Sequence, residues 1–258
     1  MIESGVGKTR SAKVMATVIG MESTPSHVAR PGRRRAPVSR FVRAALAGEW
    51  RAATEIATDF MTEKGSRATV ITDLFQGAQV LIGNRWHVGQ ATAADEYRVA
   101  EAISAAMQSL PAAPRVHSFT TRARALLATV WPERHDLGLR LVSEAFDDDG
   151  WDVDLAPGIE AVELVNRASE TAADLVGISA TFVTGQARGQ LGAVVRSLHS
   201  FGVPVIVGGG AFVRAPRLAH EVGVDATAAD ARAAVILARR LHVARRPLWS
   251  SRAQASGA

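Results

Sequence analysis

Glu133, His135 and Gly138 are the residues of this chain best placed to do chemistry, in the run Glu133-Arg134-His135-Asp136-Leu137-Gly138. The run leaves an apolar segment, Ala125-Leu126-Leu127-Ala128-Thr129-Val130-Trp131, with the composition of a buried strand. A histidine on a loop at a strand exit can ligate a metal. An acid two residues earlier can orient its imidazole and raise its basicity. Two later segments belong with it, Ser179-Ala180-Thr181 and Gly208-Gly209-Gly210. Forty residues separate Gly138 from Ser179, and 26 separate Thr181 from Gly208.

The elements that must position these residues follow from patterning. Apolar runs at 125–131, 151–156, 174–180, 203–207 and 224–228 alternate with helical stretches near 136–147, 160–172, 186–200, 212–222 and 230–242. Five such strand–helix units predict an α/β fold with a doubly wound parallel sheet. Ligands on these sheets bind beyond the carboxyl ends of the strands. Glu133-Arg134-His135, Thr181 and Gly208-Gly209 all follow strand ends, so they converge on one rim. Ahead of the sheet, residues 37–110 carry helical periodicity in four short segments, with Gly48 and Gly65 as breaks. That predicts a four-helix bundle. The expected layout is a disordered basic leader over 1–36, a helical cap over 37–112, a sheet domain over 120–243 and a disordered tail over 244–258.

The three segments at these intervals resemble the Asp-x-His-x-x-Gly … Ser-x-Leu … Gly-Gly signature of cobalamin-binding domains, with a flavodoxin-like five-stranded sheet. The resemblance implies that His135 is the lower ligand of cobalt. It further implies that Glu133 supports His135, and that Gly138, Ser179, Thr181, Gly208 and Gly209 line the site and the channel for the buried nucleotide tail. Glu133 stands where the signature has Asp, and Thr181 where it has Leu. In the helical part, Trp86-His87 and Glu96, with nine residues between Trp86 and Glu96, resemble the cap motif of cobalamin-dependent photoreceptors of the CarH and LitR type. Trp86 and Glu96 would then face an upper adenosyl group, and His87 would be a second cobalt ligand once that group is lost. Tyr97 stands where that family has histidine, which leaves adenosyl-, methyl- and hydroxocobalamin open as the cofactor.

Composition sets the outer bounds. With 47% apolar residues and no cysteine, the chain can build a core but no disulfide, thiolate metal site or cysteine nucleophile. No apolar run approaches the roughly 18 residues of a membrane span, and the N-terminus lacks a hydrophobic signal segment, so a cytoplasmic location is expected. The net charge of +5 is concentrated in residues 1–40, which carry eight Lys or Arg against Glu3 and Glu22. A solvated leader is the expected reading of that charge, and direct nucleic-acid binding is not expected. Gly5-Val6-Gly7-Lys8-Thr9 imitates a phosphate-binding loop, but Ile2 stands where the first glycine is needed. Asp147-Asp148-Asp149-Gly150 reads as a helix stop, without calcium-ligand spacing. His27, His117, His199, His220 and His242 are given no role.

Three functions remain open on the sequence. The first is a cobalamin-binding sensor, responding to light and acting on a protein partner such as a transcription regulator. The second is a non-enzymatic corrinoid carrier for methyl transfer. The third is a flavodoxin-like interaction module in which His135 is accidental. Homo-oligomerisation is compatible with each.

Overall fold

The computed structural model describes residues 31–112, 123–133 and 135–253. The expected leader up to residue 30, the Gly5–Thr9 segment, His27, His117 and Arg134 lie outside the described residues. The described residues from 35 onward form one compact unit.

Helix α1 (Pro31–Leu46) starts ahead of the expected edge at 37. Pro31 occupies the first helical position, where its missing N–H costs nothing, and the arginines and alanine that follow are strong helix formers. Helix α2 (Trp50–Lys64) is closed by Gly65 at φ +72°, whose N–H bonds back to the Met61 carbonyl. The next helix is composite: α3 (Arg67–Thr69) passes through a π-helical stretch, Val70–Phe75, into α4 (Gln76–His87). Helix α5 (Ala93–Ser109) opens on a capping box, with Thr92 Oγ1 accepting from Asp95 N and Thr92 N donating to Asp95 Oδ2 at 2.9 Å. Those bonds hold the Asp95 carboxyl below the ordinary carboxylate range. Phe41, Phe75, Leu74, Ile82 and Ile103 bury the apolar faces of these helices.

The second half alternates β1 (Arg124–Val130), α6 (Leu137–Asp148), β2 (Asp152–Ile159), α7 (Ala161–Glu170), β3 (Leu175–Ser179) and α8 (Gly185–Ser200). It continues with β4 (Val205–Gly208), α9 (Gly210–Arg214), α10 (Arg217–Val222), β5 (Ala226–Ala228) and α11 (Ala231–Ala253). The five strands are parallel in the order β2-β1-β3-β4-β5. This is the flavodoxin-like doubly wound sheet, with its order reversing between β1 and β3. The helix expected over 212–222 is two short helices. Pro216 disfavours helical backbone in the residue before it, and Ala215 leaves helical geometry at φ −130°, ψ 74°. The tail expected from 244 is helical as far as Ala253, because alanine, arginine and leucine carry the helix onward.

One face of the sheet, with Leu127, Leu175, Ile206 and Ala228, packs on α6, α11 and the core of the helical half as a single cluster. The other face packs on α7 to α10. Two polar contacts fix the halves together. Arg67, only 9% exposed, donates to the carbonyls of Met107, Leu110 and Pro111 and to Glu144 Oε2 at 2.6 Å. Gln76 Oε1 accepts from Ala231 N at 3.1 Å, satisfying a free donor at the start of α11.

Candidate functional site

The loop after β1 begins at an irregularity. The β1–β2 register shifts between Ala128 and Val130, and the fully buried Thr129 hydroxyl accepts from Gly158 N at 2.7 Å. Bulges of this kind re-aim the chain at the end of a strand. The chain then delivers Glu133 and His135 to the carboxyl rim of the sheet.

Glu133 uses both oxygens. Oε1 lies 2.6 Å from His135 Nδ1 and accepts from His135 N at 2.9 Å. Oε2 accepts from Thr181 N at 2.6 Å and Phe182 N at 3.3 Å. Burial pushes the Glu133 carboxyl up, but the His135 and Thr181 amides and the His135 ring together outweigh it. The group stands below the ordinary carboxylate range. A carboxylate against Nδ1 favours the tautomer that donates from Nδ1, which directs Nε2 away from it. The His135 side chain is 45% exposed while that of Glu133 is 8% exposed, so the carboxylate is buried and the imidazole is accessible.

His135 opens onto a cavity of about 730 Å³ between the sheet rim and the helical half. Of the expected site residues, Trp86, His87, Glu96, His135, Gly138, Ser179, Thr181, Gly208 and Gly209 line it. Glu133 does not line it and sits behind His135. Trp86 and His87 come from the last turn of α4, and Glu96 from the first turn of α5, across the 88–92 loop. Tyr97 is 66% exposed on α5 and is not part of the lining. Gly209 stands at φ +94°, and a Cβ there would meet the Ala180 carbonyl oxygen at 2.4 Å. The β3 and β4 loops therefore approach each other only because that side chain is missing.

Sequence reasoning missed Phe182 and Arg214. The Phe182 ring contacts both sides of the cavity, 6.3 Å from the Trp86 ring and 6.2 Å from His135, edge-on to each. Arg214 lies over the same ring at 5.0 Å and hydrogen-bonds the Thr181 carbonyl. Neither residue has a spacing that marks it. Only the meeting of the β3 and β4 loops with α4 does. A third omission, Gly177, had a signal, since a glycine inside a strand marks a close approach. A Cβ on it would meet Leu127 Cδ2 at 2.6 Å.

A doubly wound sheet under a helical cap, with a histidine–carboxylate pair at the switch-point rim, defines a ligand-binding α/β protein with a metal-competent imidazole. The family is then fixed by comparison: residues 123–236 match the B12 binding domain and residues 38–110 a second B12 binding domain model. The chain belongs to the cobalamin-binding domain proteins. It is 29% identical over 181 residues to a corrinoid protein of Desulfitobacterium hafniense (strain Y51), across 67% of this chain and 82% of that one. The monomethylamine corrinoid protein of Methanosarcina barkeri has the same fold, at a TM-score of 0.62 and 17% identity over 80% of this chain and 98% of that one. A cobalamin-binding protein from Desulfitobacterium hafniense DCB-2 matches at a TM-score of 0.43 and 21% identity, over 79% and 98% of the two chains. Among the described residues no helix is long and apolar enough to cross a membrane.

Proposed function

We infer that this chain is a corrinoid carrier, holding cobalt between the sheet rim and the helical cap for a methyltransferase partner. The observation that carries the reading is the Glu133–His135 pair opening onto the 730 Å³ cavity.

The residues present fit the group. Among the described residues no cluster of three or more His, Asp or Glu could hold a metal by itself. Cobalt at His135 needs further donors, as a corrin ring supplies. Gly177, Gly208 and Gly209 leave room where a Cβ would strike Leu127, the Ala228 carbonyl and the Ala180 carbonyl. A bound corrinoid supplies a cobalt centre that accepts and releases a methyl group. His135 would hold that centre, and Glu133 would keep the imidazole oriented through Nδ1. Trp86 and Phe182 would bound the cavity above the rim and exclude water. The kinship to a corrinoid protein over two thirds of the chain supports carriage.

The sensing reading rests on a separate observation, that Trp86, His87 and Glu96 line the same cavity. In that reading His87 is a second cobalt ligand. One experiment separates the two. The chain is loaded with adenosylcobalamin in the dark, its visible spectrum recorded, and the sample illuminated. Carriage predicts no stable light product that depends on His87, and an unchanged affinity in His87→Ala. A light-driven spectrum that persists in the wild type and vanishes in His87→Ala establishes sensing instead. Equal corrinoid uptake by His135→Ala and the wild type overturns both.

A further inference from the structure

We propose that the groove between α1 and the last turn of α4 is a docking site for an acidic segment of a protein partner. The site is separate from the corrinoid cavity and stands whether or not the chain carries a corrinoid.

Helix α1 has two faces. Val38, Phe41, Val42 and Ala45 are buried in the core of the helical half. The opposite stripe, Ala36, Ser39, Arg40, Arg43 and Leu46, follows the three- and four-residue spacing of one helical face. This stripe and Arg85 of α4 line a groove of about 470 Å³. Arg40 and Arg43 are exposed and Arg85 is half-buried. Among the described residues no carboxylate lines the groove, and none pairs with these three arginines. A cleft lined by one sign of charge concentrates groups of the other sign.

The chain's own remaining residues do not offset that charge. Residues 1–30 hold Lys8, Arg10, Lys13 and Arg30 against Glu3 and Glu22, while residues 113–122 and 254–258 hold no acid. The counter-charge comes from another molecule.

The lining specifies what kind of molecule. Arginine presents a planar fork of donors that meets a carboxylate with two parallel bonds. Ala36 and Leu46 add carbon at the two ends of the stripe, and Ser39 adds a hydroxyl. The ends stand roughly 15 Å apart at the rise of a helix. That length suits a short amphipathic segment whose acids meet the arginines and whose apolar residues cover the ends. A nucleic-acid backbone has no such apolar residues, and duplex binding draws on more phosphate contacts than three arginines make.

The position gives the site its use. Arg85 lines the groove, while its chain neighbours Asn84, Trp86 and His87 line the cavity onto which His135 opens. A partner held in the groove therefore grips the same helical turn that bounds the cavity.

The test is fluorescence anisotropy of labelled probes with the full chain. The probes are a short peptide of glutamate, leucine and alanine, the same peptide with glutamine for glutamate, and a single-stranded oligonucleotide of equal charge. The acidic peptide should bind saturably, and more weakly as salt rises, because exposed charges are screened. The glutamine peptide should not bind. Exposed ion pairs are individually weak, so Arg85→Gln should lower affinity about two- to fourfold, and Arg40→Gln, Arg43→Gln and Arg85→Gln together about tenfold. Arg196→Gln, Arg217→Gln and Arg232→Gln together remove the same charge from the exposed surface of the sheet half and should leave affinity unchanged. Absence of saturable binding by the acidic peptide overturns the proposal, as does an equal loss in the two triple variants. Tighter binding of the oligonucleotide, lost in the groove variant, overturns it in favour of nucleic acid. Self-association of the wild type that is lost in the groove variant, read by sedimentation, overturns it in favour of a second copy.

Discussion

Replacing Glu133 by glutamine asks whether one buried carboxylate organises the site. In the wild type Oε1 serves His135 and Oε2 serves the Thr181 and Phe182 amides. Glutamine keeps the shape but offers one acceptor oxygen. Its NH2 must therefore face either the His135 donors or the two amides of the β3 loop, donor against donor. At least one charge-assisted bond is lost, worth about 1.5–3 kcal/mol, so unfolding stability near neutral pH should fall by about 2–3 kcal/mol. Because the folded carboxyl is held below its ordinary value, its contribution is complete above the unfolded pKa of about 4.3. It is lost as pH falls through the lower folded value. The gap between wild type and Glu133→Gln in urea unfolding should thus be full at about pH 7 and shrink below about pH 4. Cobalamin affinity, measured by absorbance titration, should drop about 10- to 100-fold, as for other supports of metal-bound histidines. An unchanged urea midpoint at neutral pH together with wild-type cobalamin affinity would refute the reasoning.

Gly209→Ala should destabilise the chain by about 1–3 kcal/mol through backbone strain, since its Cβ would sit 2.4 Å from the Ala180 oxygen. Gly189→Ala, in the exposed middle of α8 with nothing within 4 Å, should stabilise by up to about 1 kcal/mol; chemical denaturation of the pair checks both signs. Arg67→Ala should cost about 1.5–3 kcal/mol, because it removes the charge-assisted bond to the partly exposed Glu144 and the donor to three carbonyls where the helical half meets α6. A melting temperature within error of the wild type would contradict that. Thr92→Ala removes the capping box of α5 and should cost about 1 kcal/mol, read as a lowered urea midpoint.

The local regularities of the chain were legible without coordinates. Strand–helix alternation specified the parallel sheet, since apolar runs bounded by amphipathic stretches have few other ways to bury both faces. Gly65 and Gly150 marked helix ends because each takes a positive φ, +72° and +91°, that other residues resist. Helix ends without such a marker were misjudged: α1 begins at Pro31 and α11 runs to Ala253, where propensity alone carries the helix.

The site divides in the same way. The Glu133–His135 contact spans two positions of one loop, and its neighbours Ser179 and Gly208 lie at strand ends, so a pattern along the chain can imply them. The contacts that finish the site span 48 and 49 residues from Glu133 to Thr181 and Phe182. No spacing encodes which backbone amides a carboxylate will meet. That Phe182 touches both Trp86 and His135, and that Leu127, Gly177 and Ile206 line the same cavity, depends on strand order and on how the cap seats upon α6 and α11. The sequence by itself determined the metal-competent histidine, its acid and the rim they occupy, because these follow from local chemistry and strand periodicity. Tertiary structure alone decided what closes over that rim and what lines the space beneath it, because packing brings together residues that the chain holds far apart.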